Sequence, residues 1–260
     1  MVHQETDRSI ILAAVKPTIM KRLAILVISC VVAVTATAQV TKKTLELPDF
    51  RAIYNNSNYT VYLKQTNKQE VTVEALTEIY NLTKISVENG VLMINLERKP
   101  DDPNKSIWAK IDDIKLNPTM KVYVSVKNLD EIQVNGAGKV ISENSLASSL
   151  LNLSLSGSGS MDLDIKGDVV KAEVSGSGKL AVKGYATSLE ASLSGSGSLN
   201  AFNCPVEKAR VKVSGSGVAE VNVTDNLEAV VAGSGSVKHK GNTKNTVKKV
   251  FGSGTVDRAY

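Results

Sequence analysis

The chain has 260 residues, of which 42% are hydrophobic, and it carries 31 basic and 26 acidic side chains. Its first 38 residues hold four of the basic and two of the acidic groups, so 27 and 24 remain beyond them, a net charge of +3. So small and interspersed a charge excludes a strongly basic nucleic-acid-binding surface.

The first 38 residues have the pattern of an upstream extension followed by a secretory signal peptide. Lys21 and Arg22 follow Met20, an alternative start, and the run from Leu23 to Val34 is apolar and uncharged. Small residues at 36–38 then fit a cleavage site after Ala38. The run is too short for a spanning helix. We therefore expect an exported protein whose mature chain begins at Gln39, with no integral membrane segment.

A lipoprotein is the alternative interpretation of this segment. Residues 27–30 read Val-Ile-Ser-Cys and loosely resemble a lipobox, which would make Cys30 a lipidated N-terminus. The apolar run continues past Cys30 to Val34, which favours the ordinary signal peptide. After cleavage of the signal peptide, the mature protein would lie in the periplasm or on the cell surface, or would be secreted.

Residues 39–128 show β patterns of irregular spacing. Hydrophobic residues alternate around Val61, Val71 and Val124, and two strands flank the Glu-Asn-Gly turn at 88–90. The polar, Pro-containing stretch 98–106 predicts an exposed loop, which Trp108 would pack against the body. We predict one domain over 39–260, with irregular strands up to 128 and repeated coils from 129.

A Gly-x-Gly triplet recurs about every 19 residues in the second half. Such a steady period indicates stacked structural units. The glycines of the seven triplets, predicted to be structural turn residues, are Gly136, Gly138, Gly157, Gly159, Gly176, Gly178, Gly195, Gly197, Gly215, Gly217, Gly233, Gly235, Gly252 and Gly254.

The residues around each triplet alternate between apolar and polar, which predicts strands with one buried face. The residue two before the first glycine is aliphatic in all seven units, from Val134 to Val250. The residue four before it is apolar in six units, and Lys248 is the exception. Short strands, a tight Gly-Ser-Gly corner and a looser return would then form each coil. Stacked coils would share one continuous core, so the fold class is an all-β, pectin-lyase-like β-solenoid.

Glycine suits such corners because it accepts positive φ and has no Cβ to clash with the coil beneath. The serine between the glycines is predicted to hydrogen-bond nearby backbone or its stacked neighbours. The triplets lack the third glycine of G-x-G-x-x-G, and no helical stretch follows them, so a nucleotide site is not indicated.

The sequence offers no convincing catalytic, cofactor-binding or metal-ligating group. His239 stands alone in a lysine-rich stretch that is interpreted as a solvated face. Asp162 and Asp164 share one face of one strand but lack an evident partner, whereas glycoside cleavage needs paired groups. Cys204 is interpreted as a buried apolar residue. A carbohydrate-active β-helix enzyme remains an alternative, because such enzymes share the predicted fold.

The chain resembles the putative auto-transporter adhesin, head GIN domain family, secreted proteins found mainly in Bacteroidetes. The resemblance rests on the signal peptide, on KISVENGVLMINL (84–96) and on MKVYVSVKNLDEIQVNGAGKV (120–140), which leads into the serial SGSG coils. It covers roughly residues 45–255. It implies a β-solenoid shaped like pectin lyases without their catalytic residues, and a role in adhesion.

The expected function is therefore recognition without catalysis. An extended surface of outward Ser, Lys and Asn side chains would bind a glycan or another host or envelope ligand. A periplasmic structural protein, which would form homo-oligomers through the ends of the solenoid, is the alternative.

Overall fold

Strands make up nearly all of the regular structure. The computed structural model describes residues 39–97 and 119–259; the predicted signal peptide, Cys30, the 98–106 loop and Trp108 lie outside them. The strands are β1 (Val40–Leu45), β2 (Ala52–Asn56), β3 (Thr60–Gln65), β4 (Glu70–Leu76), β5 (Thr83–Glu88), β6 (Val91–Leu96), β7 (Met120–Val126), β8 (Glu131–Gly136), β9 (Lys139–Ser142), β10 (Leu146–Gly157), β11 (Ser160–Gly176), β12 (Lys179–Gly195), β13 (Ser198–Gly215), β14 (Val218–Gly233), β15 (Ser236–Lys240), β16 (Asn245–Phe251) and β17 (Thr255–Arg258). Within the described ranges, a single short helix, α1 (Thr77–Tyr80), accompanies them.

Two walls of stacked strands meet at the Gly-x-Gly corners. The first wall contains the segments before each corner, in the order β5, β6, β2, β8, β10, β11, β12, β13, β14 and β16. The second wall contains the segments after each corner, from β1, β4, β7, β3 and β9 through β11–β14 to β15 and β17. Except for β1–β4, β4–β7 and β5–β6, the pairs are parallel. The fold is a single-domain β-solenoid of about seven turns, which confirms the predicted class.

The core consists of equivalent side chains stacked between the walls. Leu155, Val174, Leu193, Val213 and Val231 follow one another in register, and each is buried. The predicted inward alternation is therefore confirmed over most of the repeat. Because every coil contributes apolar side chains at equivalent positions, the apolar surface of one coil is buried by the next.

The strands are longer than predicted. β11 to β14 each run 16 to 18 residues, from one corner to the next, so the expected short strands and looser return are wrong for these coils. The parallel pairing continues on both sides of the bends, although the register shifts there, between Ala181 and Lys183 of β12 and between Ala201 and Pro205 of β13. Bends such as Gly184, where φ is +106°, lie within a strand.

The N-terminal half already belongs to the stack. β2 pairs with β8 and β3 pairs with β9, so 52–65 forms an early coil. The predicted turn at Glu-Asn-Gly is confirmed: β5 and β6 are antiparallel, and Asn89 and Gly90 both have positive φ, as a two-residue hairpin requires.

The last coil departs from the repeat. Val250, which aligns with the buried Val231, is 40% exposed, and every residue of β16 is exposed. The predicted burial of Val250 is therefore wrong. Among the described residues, β16 pairs only with β14, so no further coil covers it.

Candidate ligand-binding surface

The predicted turn glycines are stacked in two columns. The first glycines have φ between +104° and +117°, and they are Gly136, Gly157, Gly176, Gly195, Gly215, Gly233 and Gly252. The second glycines lack positive φ, but a Cβ on Gly197 would lie 2.9 Å from the carbonyl oxygen of Gly178 below. Backbone hydrogen bonds join the coils here, such as Ser196 N–H to Gly176 O at 2.9 Å.

The serines beside these glycines form a surface that we call the serine ridge. Its members share exposure to solvent and a place at the corner, and they are Ser156, Ser158, Ser175, Ser177, Ser194, Ser196, Ser214, Ser216, Ser234 and Ser253. Ser156, Ser175, Ser194 and Ser214 lie in one register column. Stacked strands are about 4.8 Å apart, so the ridge offers hydroxyl groups at that interval.

The ridge hydroxyls make no hydrogen bond to any part of the chain that the structure describes. The inter-coil bonds use the serine backbone N–H instead, as for Ser177 to Gly157 O at 2.9 Å. The hydrogen bonds predicted for the serine side chains are therefore not formed within the described chain, although the serines do lie next to their equivalents in the adjacent coils. A column of exposed hydroxyls keeps its donors and acceptors available for a ligand.

Asparagines continue the same column towards β6. Asn56 Nδ2 donates to Asn95 Oδ1 at 2.9 Å, and Asn135 Nδ2 donates to Asn56 Oδ1 at 2.7 Å. The corner of this early coil is built by buried Asn55, whose Oδ1 accepts from Ser57 and whose Nδ2 donates to the Tyr59 carbonyl. The sequence stretch Asn-Asn-Ser-Asn was the available signal, since these residues favour turns.

Two pairs of oppositely charged side chains lie along the stack on the first wall. Lys171 lies 3.8 Å from Glu190, and Arg210 lies 2.9 Å from Glu228. Exposed pairs of this kind add little stability, but they neutralise one another. These two pairs therefore leave little net charge at their own positions beside the ridge.

The carboxylates considered for catalysis do not form a reactive group. Asp162 is exposed and Asp164 is half-buried on the outer face of β11. Within residues 39–97 and 119–259, no three His, Cys, Asp or Glu side chains gather as a metal ion would require. Over the same ranges, no helix has the length and apolar character needed to cross a membrane.

Cys204 is buried in the core, as interpreted from the sequence. Its burial raises the pKa of the thiol to about 11, and the nearby charge of Asp164 acts in the same direction. A thiol held protonated and covered is a poor nucleophile. Cys204 therefore belongs to the packing of the solenoid.

His239 is buried inside the last complete coil, which the sequence did not predict. Only 5% of it is exposed, and its Nδ1 has no hydrogen-bond partner among the described residues. Burial lowers its pKa, the positive charges of Lys248 and Arg258 lower that pKa further, and Asp257 opposes them. Its position excludes contact with a ligand on the outer walls.

A groove of about 600 Å³ lies between the end of β1 and the start of β4. Its polar groups are engaged with the chain itself: Gln69 Nε2 donates to the Pro48 carbonyl at 2.8 Å, and Lys68 pairs with Glu70. The groove therefore offers fewer free hydrogen-bonding groups than the serine ridge.

The fold and the ridge together define a β-solenoid with a repetitive polar edge. The chain belongs to the family described as "Putative auto-transporter adhesin, head GIN domain", whose sequence profile matches residues 49–243. This match confirms the resemblance seen in the sequence. Among curated proteins, none matches the chain.

Solved structures show the same fold. A putative adhesin from Bacteroides fragilis is 21% identical, with a TM-score of 0.77, over 87% of this chain and all of its own. A putative adhesin from Parabacteroides merdae is 22% identical, with a TM-score of 0.65, over 87% of this chain and 99% of its own. A protein from Parabacteroides distasonis described as a putative lipid binding protein is 22% identical, with a TM-score of 0.69, over 86% of this chain and 98% of its own.

Proposed function

We propose that the protein is an exported, non-enzymatic binding protein that recognises a repetitive glycan of a host or envelope surface along the serine ridge. The observation that carries this proposal is the column of exposed hydroxyls with no partner in the described chain. A ligand that repeats its own hydroxyl and ring-oxygen groups can use several steps of the ridge at once. Adhesin names in the family agree with this role.

Rigidity supports the proposal energetically. The corners are held by backbone hydrogen bonds between coils, such as Ser216 N–H to Gly195 O at 2.9 Å. The backbone of each ridge serine is therefore held in place before the ligand arrives, which lowers the entropic cost of binding. Once one sugar unit of the ligand is bound, the next units are held close to the next serines. Several weak contacts along the ridge therefore combine into a higher overall affinity.

Alanine substitution of the ridge tests the proposal. Binding of the purified protein to immobilised peptidoglycan, lipopolysaccharide and mucin is measured for the wild type, for Ser177→Ala/Ser196→Ala and for the control Ser145→Ala/Ser149→Ala. The control serines are exposed but lie off the ridge. Each lost hydrogen bond is worth about 1 kcal/mol, or about fivefold in affinity. Equal binding by both variants, or no binding to any of the three, would contradict the proposal.

Localisation is tested by protease shaving of intact cells, with lysed cells as control. Loss of the protein from intact cells supports surface recognition. Protection until lysis would contradict a host ligand and leave an envelope ligand.

A structural role through the ends of the solenoid is the second candidate. The free outer edge of β16 supports a contact at that end. The lysines of the same strand oppose contact with a second copy.

A further inference from the structure

β16 is an unusual strand because it is exposed on both faces. It pairs along one edge with β14, in register from Asn226↔Asn245 to Ala232↔Phe251. Val247, Val250 and Phe251 are 51%, 40% and 63% exposed. Its other edge has no partner strand among the described residues, so its outer N–H and C=O groups are unpaired.

The two ends of the solenoid differ. At the β5 end, the chain folds back as the antiparallel β5–β6 hairpin, and α1 packs the buried side chain of Ile79 into the core. At the β16 end, the parallel stack stops without such a cover in the described chain. An uncovered parallel edge is a template for one more strand.

The uncovered edge is basic. Lys248 points across the open end, and its Nζ donates to the Val256 carbonyl at 2.9 Å. Lys249 is exposed and makes no ion pair within the described residues. By contrast, Lys244 is paired with Asp225 at 3.1 Å. Two adjacent lysines therefore retain positive charge next to exposed Val247 and Val250.

These features select the chemistry of a partner. A second copy joined through β16 would bring Lys248 and Lys249 against the same basic strand, and like charges across a ladder are destabilising. Insertion into a lipid layer would leave the free backbone groups without partners. An extended acidic segment would supply hydrogen-bond partners for the free N–H and C=O groups of β16 and carboxylates for Lys248 and Lys249.

We propose that β16 binds an extended acidic segment of another protein as an additional strand. In the parallel register that β14 and β16 already use, carboxylates of the segment lie over Lys248 and Lys249, and apolar side chains lie over Val247 and Val250. Main-chain hydrogen bonds supply affinity and the alternate side chains supply specificity, as in other strand-addition complexes.

A charge-swapped peptide tests the proposal without knowledge of the natural partner. The probe is a fluorescent peptide of residues 243–253 that carries Lys248→Glu and Lys249→Glu, and the comparison peptide has the native sequence. Fluorescence anisotropy with the purified protein is expected to show binding of the acidic peptide at least about tenfold tighter than that of the native one. Salt weakens the complex because the charges are exposed.

The reciprocal variant provides the decisive comparison. Protein with Lys248→Glu/Lys249→Glu is expected to lose the acidic peptide and to gain the native one. The control Lys208→Glu/Lys212→Glu has the same net charge, but its changes lie on β13, and it is expected to keep the original preference. Lys249→Glu alone, which breaks no hydrogen bond of the described chain, is expected to give a partial loss.

Three results would overturn the proposal. The control variant could lose the acidic peptide as strongly as the β16 variant, which would show only long-range attraction. The native peptide could bind as tightly as the acidic one. Sedimentation velocity could show wild-type dimers that Lys248→Glu/Lys249→Glu disrupts, which would make a second copy the occupant of the edge.

Discussion

Gly195 lies directly over Gly176, so close that a Cβ at Gly195 would be 2.7 Å from the Gly176 carbonyl oxygen. Gly136 occupies the first corner of the same column with nearly the same φ, +105° against +104° at Gly195, yet a Cβ there would meet nothing within 4 Å. Comparison of Gly136 with Gly195 therefore separates two reasons for glycine. Both residues have positive φ, but only Gly195 lies so close to the backbone of the neighbouring coil that a Cβ would clash with it.

Alanine at these two positions is expected to destabilise the protein by different amounts. Gly136→Ala adds only backbone strain, about 1 kcal/mol, whereas Gly195→Ala adds a clash with backbone and costs about 3 kcal/mol. Urea denaturation followed by circular dichroism measures both, with Ser196→Ala as a control near zero. Equal losses for the two glycine variants would show that φ alone selects glycine.

The difference between these glycines marks what the sequence could predict. The period of 19 residues and the alternation around Val174 or Leu193 indicate a solenoid, because each coil must bury the same face. The sequence also indicates where the corner lies. It does not show that Gly136 begins the glycine column above an asparagine corner, since Asn55 and Ser57 replace Gly-x-Gly there.

The candidate surfaces were predicted only in part. Serine between the glycines of six of the seven corners is evident in the sequence, but whether its hydroxyl bonds within the chain depends on the backbone N–H groups, which take the available carbonyls. The sequence pattern also does not predict that Lys248 lies at an uncovered strand edge. One apolar pattern describes both covered and uncovered coils, and only the stack shows that no described strand pairs with the outer edge of β16.

Burial of His239 is expected to make stability depend on pH. Its folded pKa is below the unfolded value of about 6.5, so the unfolded chain binds more protons and stability falls as the pH falls below that value. Burial lowers the pKa of His239 most, and the positive charges of Lys248 on β16 and Arg258 on β17 lower it further. The negative charge of Asp257 raises it. His239→Val, which matches its register neighbour Val221, removes this dependence.

The measurement is the melting temperature of both proteins at several pH values between about 7.5 and 5. The difference between wild type and His239→Val is expected to widen as the pH falls, because the other titrating groups are common to both. A constant difference across the range would show that His239 does not titrate differently on folding.

Cys204 is expected to resist thiol reagents in the folded protein. Burial raises its pKa to about 11, so little thiolate forms at mildly alkaline pH, and the sulfur is also covered. The chain from Gln39 onward contains this one cysteine, so the release of colour from an aromatic disulfide reagent reports on it alone. Ser196→Cys, an exposed ridge position, provides the positive control.

Reaction of Cys204 is expected only when the protein is unfolded in urea, whereas the Ser196→Cys variant reacts at once with one equivalent. Rapid reaction of the native wild type would mean that β13 opens locally around Cys204.

Lys248 and Lys249 are expected to keep the open end of the solenoid from associating with itself. Lys248 replaces the apolar residue that the other coils place at this level, such as Ala229, with which it is in register. Inward charges at a free strand edge oppose edge-to-edge pairing. Lys248→Val/Lys249→Val leaves the unpaired backbone groups and removes that repulsion, so the variant is expected to self-associate as its concentration rises.

Sedimentation velocity measures this self-association, with Lys208→Val/Lys212→Val as the control for added surface hydrophobicity. Association of both variants to the same degree would assign it to general hydrophobicity, whereas association of the β16 variant alone places the contact at the open edge.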